Sequence, residues 1–239
     1  MASGEQITLD FTKLDAPPAL NNEAENSLSA VSKTVKVPVS GKELEIYVEE
    51  TVKKDIAPRF GILFLHGLKY SSKNWLDIKS MSNVANWGYR AVAVDLPGYG
   101  KSVNTVAPEE NSEFLHSLTR VLDLQRPVIV SPSMSGTFSL PYLFEEPESC
   151  QDRSRGYVPV APIETSKLVA NYKQAELPTL VIVGTNDEVP GLREESTTNL
   201  MQLPRAQYAP IEGAGHACYL DNQDAFHRLL FFFLQQLSD

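Results

Sequence analysis

The stretch Val128–Pro141 reads VIVSPSMSGTFSLP. Its opening run, Val128 to Val130, is continuously apolar, as suits a strand covered on both faces, and the helical pattern that follows begins among the serines. In open α/β sheets the chemistry sits where the carboxyl end of a strand gives way to a helix, so Ser131, Ser133 and Ser135 lie in a candidate site. A sharp turn at such a junction strains its central residue and crowds the residues two before and two after it, which must therefore be small. For Ser133 the crowded positions are Ser131 and Ser135, with Gly136 beyond. Ser131 would put Ile129 in a crowded slot, and Ser135 would put Thr137 there. Ser133 is the candidate nucleophile. On this peptide alone a plain serine N-cap explains the same residues.

Working outward, short apolar runs recur as GILFLH, YRAVAVD, RPVIVS, GYVPVAP, PTLVIVG and QYAPIEG. Between them lie helical patterns such as NSEFLHSLTRVL and DAFHRLLFFFLQQL. Ahead of them, TVKVPV and LEIYVEETV alternate by twos around SGKE and read as a β-hairpin. The order predicts about eight strands in a mostly parallel sheet with helices on both faces. One domain is expected over residues 34–239, preceded by a flexible extension, residues 1–33, rich in Asn, Glu, Ser, Ala and Pro. Trimming residues 1–30 is accordingly expected to leave Tm and turnover nearly unchanged.

A serine hydroxyl needs a base, and the base needs an orienting acid. Of the four histidines, His116 and His227 fall in helical runs and His66 ends a strand before Gly67. His216, in the glycine-rich loop EGAGHACYLD after the last strand, is the candidate base. Asp187, in TNDEVPG after the strand TLVIVG, is the candidate acid, with Glu188 its neighbouring rival. Asp95, in VAVDLPGYG, reads as a turn former. Ser133, Asp187 and His216 then follow the chain order of an α/β-hydrolase, each at the end of a strand. The backbone N–H groups of Met134, directly after the nucleophile, and Leu68, beside Gly67, are the candidate oxyanion donors.

Composition excludes other classes. A net charge of −9 opposes binding to nucleic acid or anionic lipid. The two cysteines, Cys150 and Cys218, stand far apart without metal-ligand spacing and are expected as reduced, buried thiols. The longest apolar run, Leu229–Leu234, is far below the roughly 20 residues of a membrane span, and no targeting peptide is visible. A soluble cytoplasmic or nuclear protein, monomeric and without a bound metal or prosthetic group, is expected.

HGLKYSSKNW, GYRAVAVDLPGYGKS, SPSMSGTFSLP, VPVAPI and GAGHACYLD together resemble the alpha/beta-hydrolase-domain-containing protein 14 family from about Thr34 onward. The Ser-x-Ser-x-Ser-Gly elbow, in place of Gly-x-Ser-x-Gly, is the most discriminating piece. The resemblance implies a small hydrolase with Ser133, Asp187 and His216 as its triad. For the family's soluble branch, in cytoplasm and nucleus, it implies cleavage of short acyl esters and removal of acetyl groups from protein lysines, with coenzyme A as acyl acceptor. Another branch carries a membrane anchor. No glycine loop or basic cluster marks a coenzyme A site; Lys69 and Lys73 could reach its phosphates, but exposed lysines there are more often simply solvated. The short connection between VPVAP and PTLVIV leaves no room for a lid domain and implies an open acyl pocket. The rival reading is a non-catalytic scaffold of the same fold that binds a ligand or protein, which a serine-directed probe would not label.

Overall fold

The computed structural model describes residues 7–238. Its nine-stranded sheet comprises β1 (Ile7–Thr8), β2 (Leu28–Val39), β3 (Lys42–Lys53), β4 (Gly61–Phe64), β5 (Arg90–Val94), β6 (Val128–Pro132), β7 (Gly156–Val160), β8 (Thr179–Gly184) and β9 (Ala206–Ile211). The strand order is β1-β9-β8-β7-β6-β4-β5-β3-β2. All pairings from β1 to β5 are parallel, and the hairpin β2–β3 joins β5 antiparallel.

The helices are α1 (Asn22–Asn26), α2 (Lys73–Asp77), α3 (Ser80–Asn86), α4 (Asn111–Val121), α5 (Gly136–Phe144), α6 (Cys150–Arg153), α7 (Val169–Tyr172), α8 (Leu192–Leu200), α9 (Cys218–Asp221) and α10 (Gln223–Gln235). They cover both faces, which explains the uninterrupted apolar runs of the central strands. Successive residues point to opposite faces, so Ile62, Phe64, Val128 and Val130 meet α2, α3 and α10. Leu63, Val92 and Ile129 meet α4 and α5 instead. In α10 the buried Phe226, Leu229, Leu230, Phe233 and Leu234 recur at helical spacing, and the Asn222 side chain caps the first turn by accepting from Ala225 N at 3.1 Å. Between β7 and β8, residues 161–178 hold only a 3₁₀ turn and the four-residue α7, so no lid domain is inserted there.

The structure departs from the sequence reading at the N-terminal end. The sheet has a ninth strand, β1, which runs beside β9 from within the segment read as a flexible extension. The hairpin also starts at Leu28 rather than Thr34, with Leu28 opposite Lys53. Residues 1–6 of the proposed extension lie outside the described residues. The far end of β2 is exposed and Lys33 interrupts its apolar alternation, which is why its pattern escaped notice. Leu9, Phe11 and Leu14 pack against the core on the α10 side, and Leu9 N donates to Tyr208 O at 2.7 Å.

These contacts reverse the expectation for trimming. Deleting residues 1–14 should lower Tm by about 2–4 °C for each kcal/mol of packing lost in a chain of this size. A thermal melt of the truncated chain that overlays the full-length one would show the contacts to be idle.

Candidate active site

Ser133 stands where β6 ends and a 3₁₀ turn, Ser133–Ser135, leads into α5. Its φ of 50° lies in the left-handed region, a strained conformation for a residue with a side chain. The turn is closely packed at Gly136, just beyond the positions that the sequence reading singled out. A Cβ on Gly136 would come within 2.8 Å of both Ile163 O and Pro162 Cβ, and Ile163 N donates to Ser133 O at 3.1 Å.

The three serines have different surroundings. Ser131 and Ser135 are buried, their hydroxyls 3.0 Å apart. Ser131 also meets Ser139 at 2.7 Å, Ser139 meets the Tyr157 hydroxyl at 2.9 Å, and Ser135 donates to Pro132 O at 2.8 Å. These hydroxyls form a buried chain beneath the turn that satisfies its members within the protein. Burial drives the Tyr157 phenol well above its ordinary value, which keeps it a neutral member of the chain. Ser133 alone of the three points its hydroxyl at an imidazole.

That imidazole belongs to His216. Ser133 Oγ donates to His216 Nε2 at 2.8 Å, and His216 Nδ1 donates to Asp187 Oδ2 at 2.8 Å. The Asp187 side chain is wholly buried while the imidazole is 30% exposed, so one end of the relay is sealed and the other faces solvent. The second Asp187 oxygen accepts from Val189 N at 2.9 Å. Because an ionised carboxylate only accepts, the proton of the neutral imidazole sits on Nδ1 and Nε2 is free to take the serine proton. Glu188 is exposed and lines the neighbouring cavity, while His216 bonds Asp187.

The His216 loop is held from three directions. Asn186 N donates to Ala214 O at 2.9 Å, and Gly215 N donates to the Asp221 carboxylate at 2.8 Å. At Gly184 an added Cβ would lie 2.1 Å from Gly215 O, so β8 and this loop approach closely only because the position is glycine. Sequence reasoning missed Asp221, since no short motif links an aspartate to an amide six residues earlier.

The other histidines, Asp95 and the cysteines are held elsewhere in the fold. Leu96 N donates to His66 Nε2 at 2.9 Å, so His66 Nδ1 carries the proton and donates to Gly67 O at 2.9 Å. Burial holds His66 below its ordinary pKa, favouring this neutral form. Asp95 accepts from Ser72 N at 2.7 Å and from Lys101 N at 2.8 Å, tying the loop after β4 to the loop after β5. His227 is buried against Ser80 at 2.8 Å, its pKa pushed down to about 4 by burial. His116 packs edge-on against Tyr142 with ring centroids 4.7 Å apart. Both cysteines are free and buried, and burial raises the Cys218 thiol to about 12, which makes it unreactive.

Gly67 lies against the elbow: a Cβ there would sit 3.6 Å from Ser133 Cβ. Its neighbour Leu68 lines the same cavity as Ser133, and Met134 follows Ser133 within the helical turn. Ser133 and His216 line a cavity of about 850 Å³ together with Leu68, Tyr70, Val189 and Tyr219. Lys69 also lines it, whereas Lys73 is paired with Asp77 at 2.5 Å. Among the described residues no cluster of His, Cys, Asp and Glu could hold a metal, and no helix is long and apolar enough to cross a membrane.

No family model matches the chain. It is 43% identical over 188 residues to the rat protein named "Putative protein-lysine deacylase ABHD14B", covering 76% of this chain and 86% of that one. The human protein of the same name is 39% identical over 208 residues, covering 84% and 95%. Zebrafish (Danio rerio) "Protein ABHD14A" is 37% identical over 193 residues, covering 79% and 69%. Among solved structures, a "predicted CIB-like hydrolase" of Thermoplasma acidophilum superposes with a TM-score of 0.74 at 24% identity, covering 87% of this chain and all (100%) of that one. Carboxylesterase CesB of Bacillus subtilis gives 0.67 at 16% identity, covering 89% and 95%. At these identities the superpositions show a shared α/β-hydrolase fold, and the sequence matches go further: the chain belongs to the alpha/beta-hydrolase-domain-containing protein 14 family.

Proposed function

We propose that this chain is a serine hydrolase that transfers short acyl groups through an acyl-Ser133 intermediate. The observation that carries this reading is the relay Ser133–His216–Asp187, closed at 2.8 Å on both sides of the imidazole with Ser133 in a strained turn. In the first step Ser133 Oγ bonds to the acyl carbon while His216 takes the serine proton. The bond to the leaving oxygen or nitrogen then breaks, and that atom receives the proton from His216. An acceptor attacks the same carbon in the second step, giving its proton to His216, which returns it to Ser133 as the acyl bond breaks. Asp187 orients the imidazole and stabilises its charged form. The Leu68 and Met134 amides are assigned to the tetrahedral oxyanion, supported by Leu68 lining the cavity with Ser133 and by Met134 following Ser133 in the helical turn.

The substrate assignment is an acyl group on a protein lysine, supported by the names of the mammalian relatives. Coenzyme A is assigned as an acceptor beside water on the family resemblance alone. A thiolate is a stronger nucleophile than water towards an acyl-enzyme. The experiment is to follow an acetyl-lysine peptide and acetyl-coenzyme A by mass spectrometry, with and without coenzyme A. Acetyl-coenzyme A formed only by the wild type, and not by Ser133→Ala, is the expected result. Free acetate at a rate indifferent to coenzyme A would remove the acceptor, and an untouched peptide beside rapid ester cleavage would remove the lysine.

The absence of a lid domain predicts the acyl range. Nitrophenyl acetate and butyrate should show much higher kcat/KM than decanoate or palmitate, because no apolar lid covers a long chain. Steady-state rates across this ester series check the point, and a preference rising with chain length would oppose it.

A further inference from the structure

The cavity at Ser133 has two chemically different sides. In the sheet, β6 lies between β4 on one side and β7 and β8 on the other, so Ser133 separates the loops that follow β4 and β8. The loop after β8 contributes Glu188, Val189 and Pro190. The loop after β4 contributes Leu68, Lys69 and Tyr70. Tyr219 comes from α9 but belongs to the β4 side, because its ring stacks on Trp75 at 4.8 Å and meets Tyr70 edge-on at 6.3 Å.

Tyr219 is 2% exposed, and its position is rigid. Trp75 beneath it is fully buried and donates its indole N–H to Leu65 O at 2.7 Å, while Phe226 packs on the same tyrosine at 6.0 Å. Yet Tyr219 lines the cavity and its hydroxyl has no hydrogen-bond partner among the described residues. The hydroxyl is not sealed off in the core, and without a protein partner it is available to whatever occupies the cavity. Burial raises its pKa well above the ordinary phenol value, so it stays a neutral donor. Lys69, on the same side, makes no ion pair among the described residues, whereas Lys73 and Lys79 are both held by carboxylates. A neutral donor and a cation that line one cavity suit a carboxylate.

We infer that the preferred acyl group ends in a carboxylate, as succinyl and glutaryl groups do, with Tyr219 and Lys69 receiving the distal carboxylate while Ser133 attacks the proximal carbonyl. This rests on the reading of Ser133 as the nucleophile. The two steps are those already written: the bond to the lysine nitrogen breaks, His216 protonates that nitrogen, and water releases the chain as a free dicarboxylate. A plain alkyl chain of the same length would leave the Tyr219 hydroxyl unpaired, the kind of mismatch by which polar pockets reject apolar analogues. Glu188, beyond Ser133 on the β8 side, faces the departing portion instead.

The test uses the full chain and two matched pairs: succinyl-lysine against butyryl-lysine in one peptide sequence, and nitrophenyl hemisuccinate against nitrophenyl butyrate. Spontaneous hydrolysis is subtracted with Ser133→Ala. The expected kcat/KM ratio favours the succinyl member by about tenfold or more in either pair. Tyr219→Phe, which keeps the ring on Trp75, and Lys69→Glu should each drive that ratio towards or below one, chiefly through the succinyl KM, while Lys69→Arg retains it. Thermal melts check that each variant is folded. Butyryl substrates turned over as fast as succinyl ones by a wild type that takes a fluorophosphonate on Ser133 would overturn this inference and leave the nucleophile standing. Failure of Ser133 to label at all would overturn both.

Discussion

Ser133→Ala is expected to cut turnover of short esters by on the order of 10⁴-fold or more and to abolish labelling by a fluorophosphonate. The loss is large because His216 would then have no hydroxyl to activate, whereas Ser131 and Ser135 are turned into the buried hydroxyl chain. Ser131→Ala and Ser135→Ala should therefore keep the label. Their cost falls on stability, about 1–3 kcal/mol for leaving a buried polar partner unsatisfied, or about 2–4 °C of Tm per kcal/mol. Labelling and melting thus separate the three serines: one variant loses chemistry, two lose stability. Loss of the label in Ser135→Ala with an unchanged melt would reverse the assignment.

The second large effect is expected at the acid. Asp187→Asn preserves the shape of the side chain, but its amide can donate to His216 Nδ1 and so favours the tautomer with the proton on Nε2, where Ser133 must donate. A drop in kcat approaching 10⁴-fold is the scale set by the same change in other triads. Glu188→Gln alters an exposed side chain at the cavity and should change kcat by less than about tenfold. Steady-state kinetics of the two variants side by side decide between the carboxylates, and the reverse ranking would move the acid to Glu188.

The central architecture was readable because covered strands and amphipathic helices leave strong periodic signals. The runs at Val128 and Thr179 are apolar throughout because both faces meet helices. The strained turn at Ser133 left a trace in the sequence as small residues around it, and Gly136 packs against Pro162 just beyond them. The structure brings Ser133, Asp187 and His216 within hydrogen-bond reach from positions far apart in sequence. Their chain order suggested the set, but no periodicity could supply the contacts.

Other features leave no local signal. β1 is two residues long, too short for any alternation, and exists only because β9 offers it an edge. The far part of β2 is exposed and broken by Lys33, so it reads like the polar segment before it. Asp221 meets Gly215 only through the fold of the loop, and the Tyr219–Trp75 stack joins residues from distant parts of the chain. Lys73 looked equivalent to Lys69 in the sequence until its pairing with Asp77, one helical turn on, set them apart.

The most direct test of the account is where a fluorophosphonate bonds. Wild-type chain, treated with the probe and digested, should carry a single adduct on the peptide holding residues 128–141, with fragmentation placing it on Ser133. His216→Ala should remove or greatly slow the adduct while its melting curve stays cooperative. An adduct on any other residue, or labelling of Ser133 at the same rate without His216, would contradict the claim that this relay activates the serine.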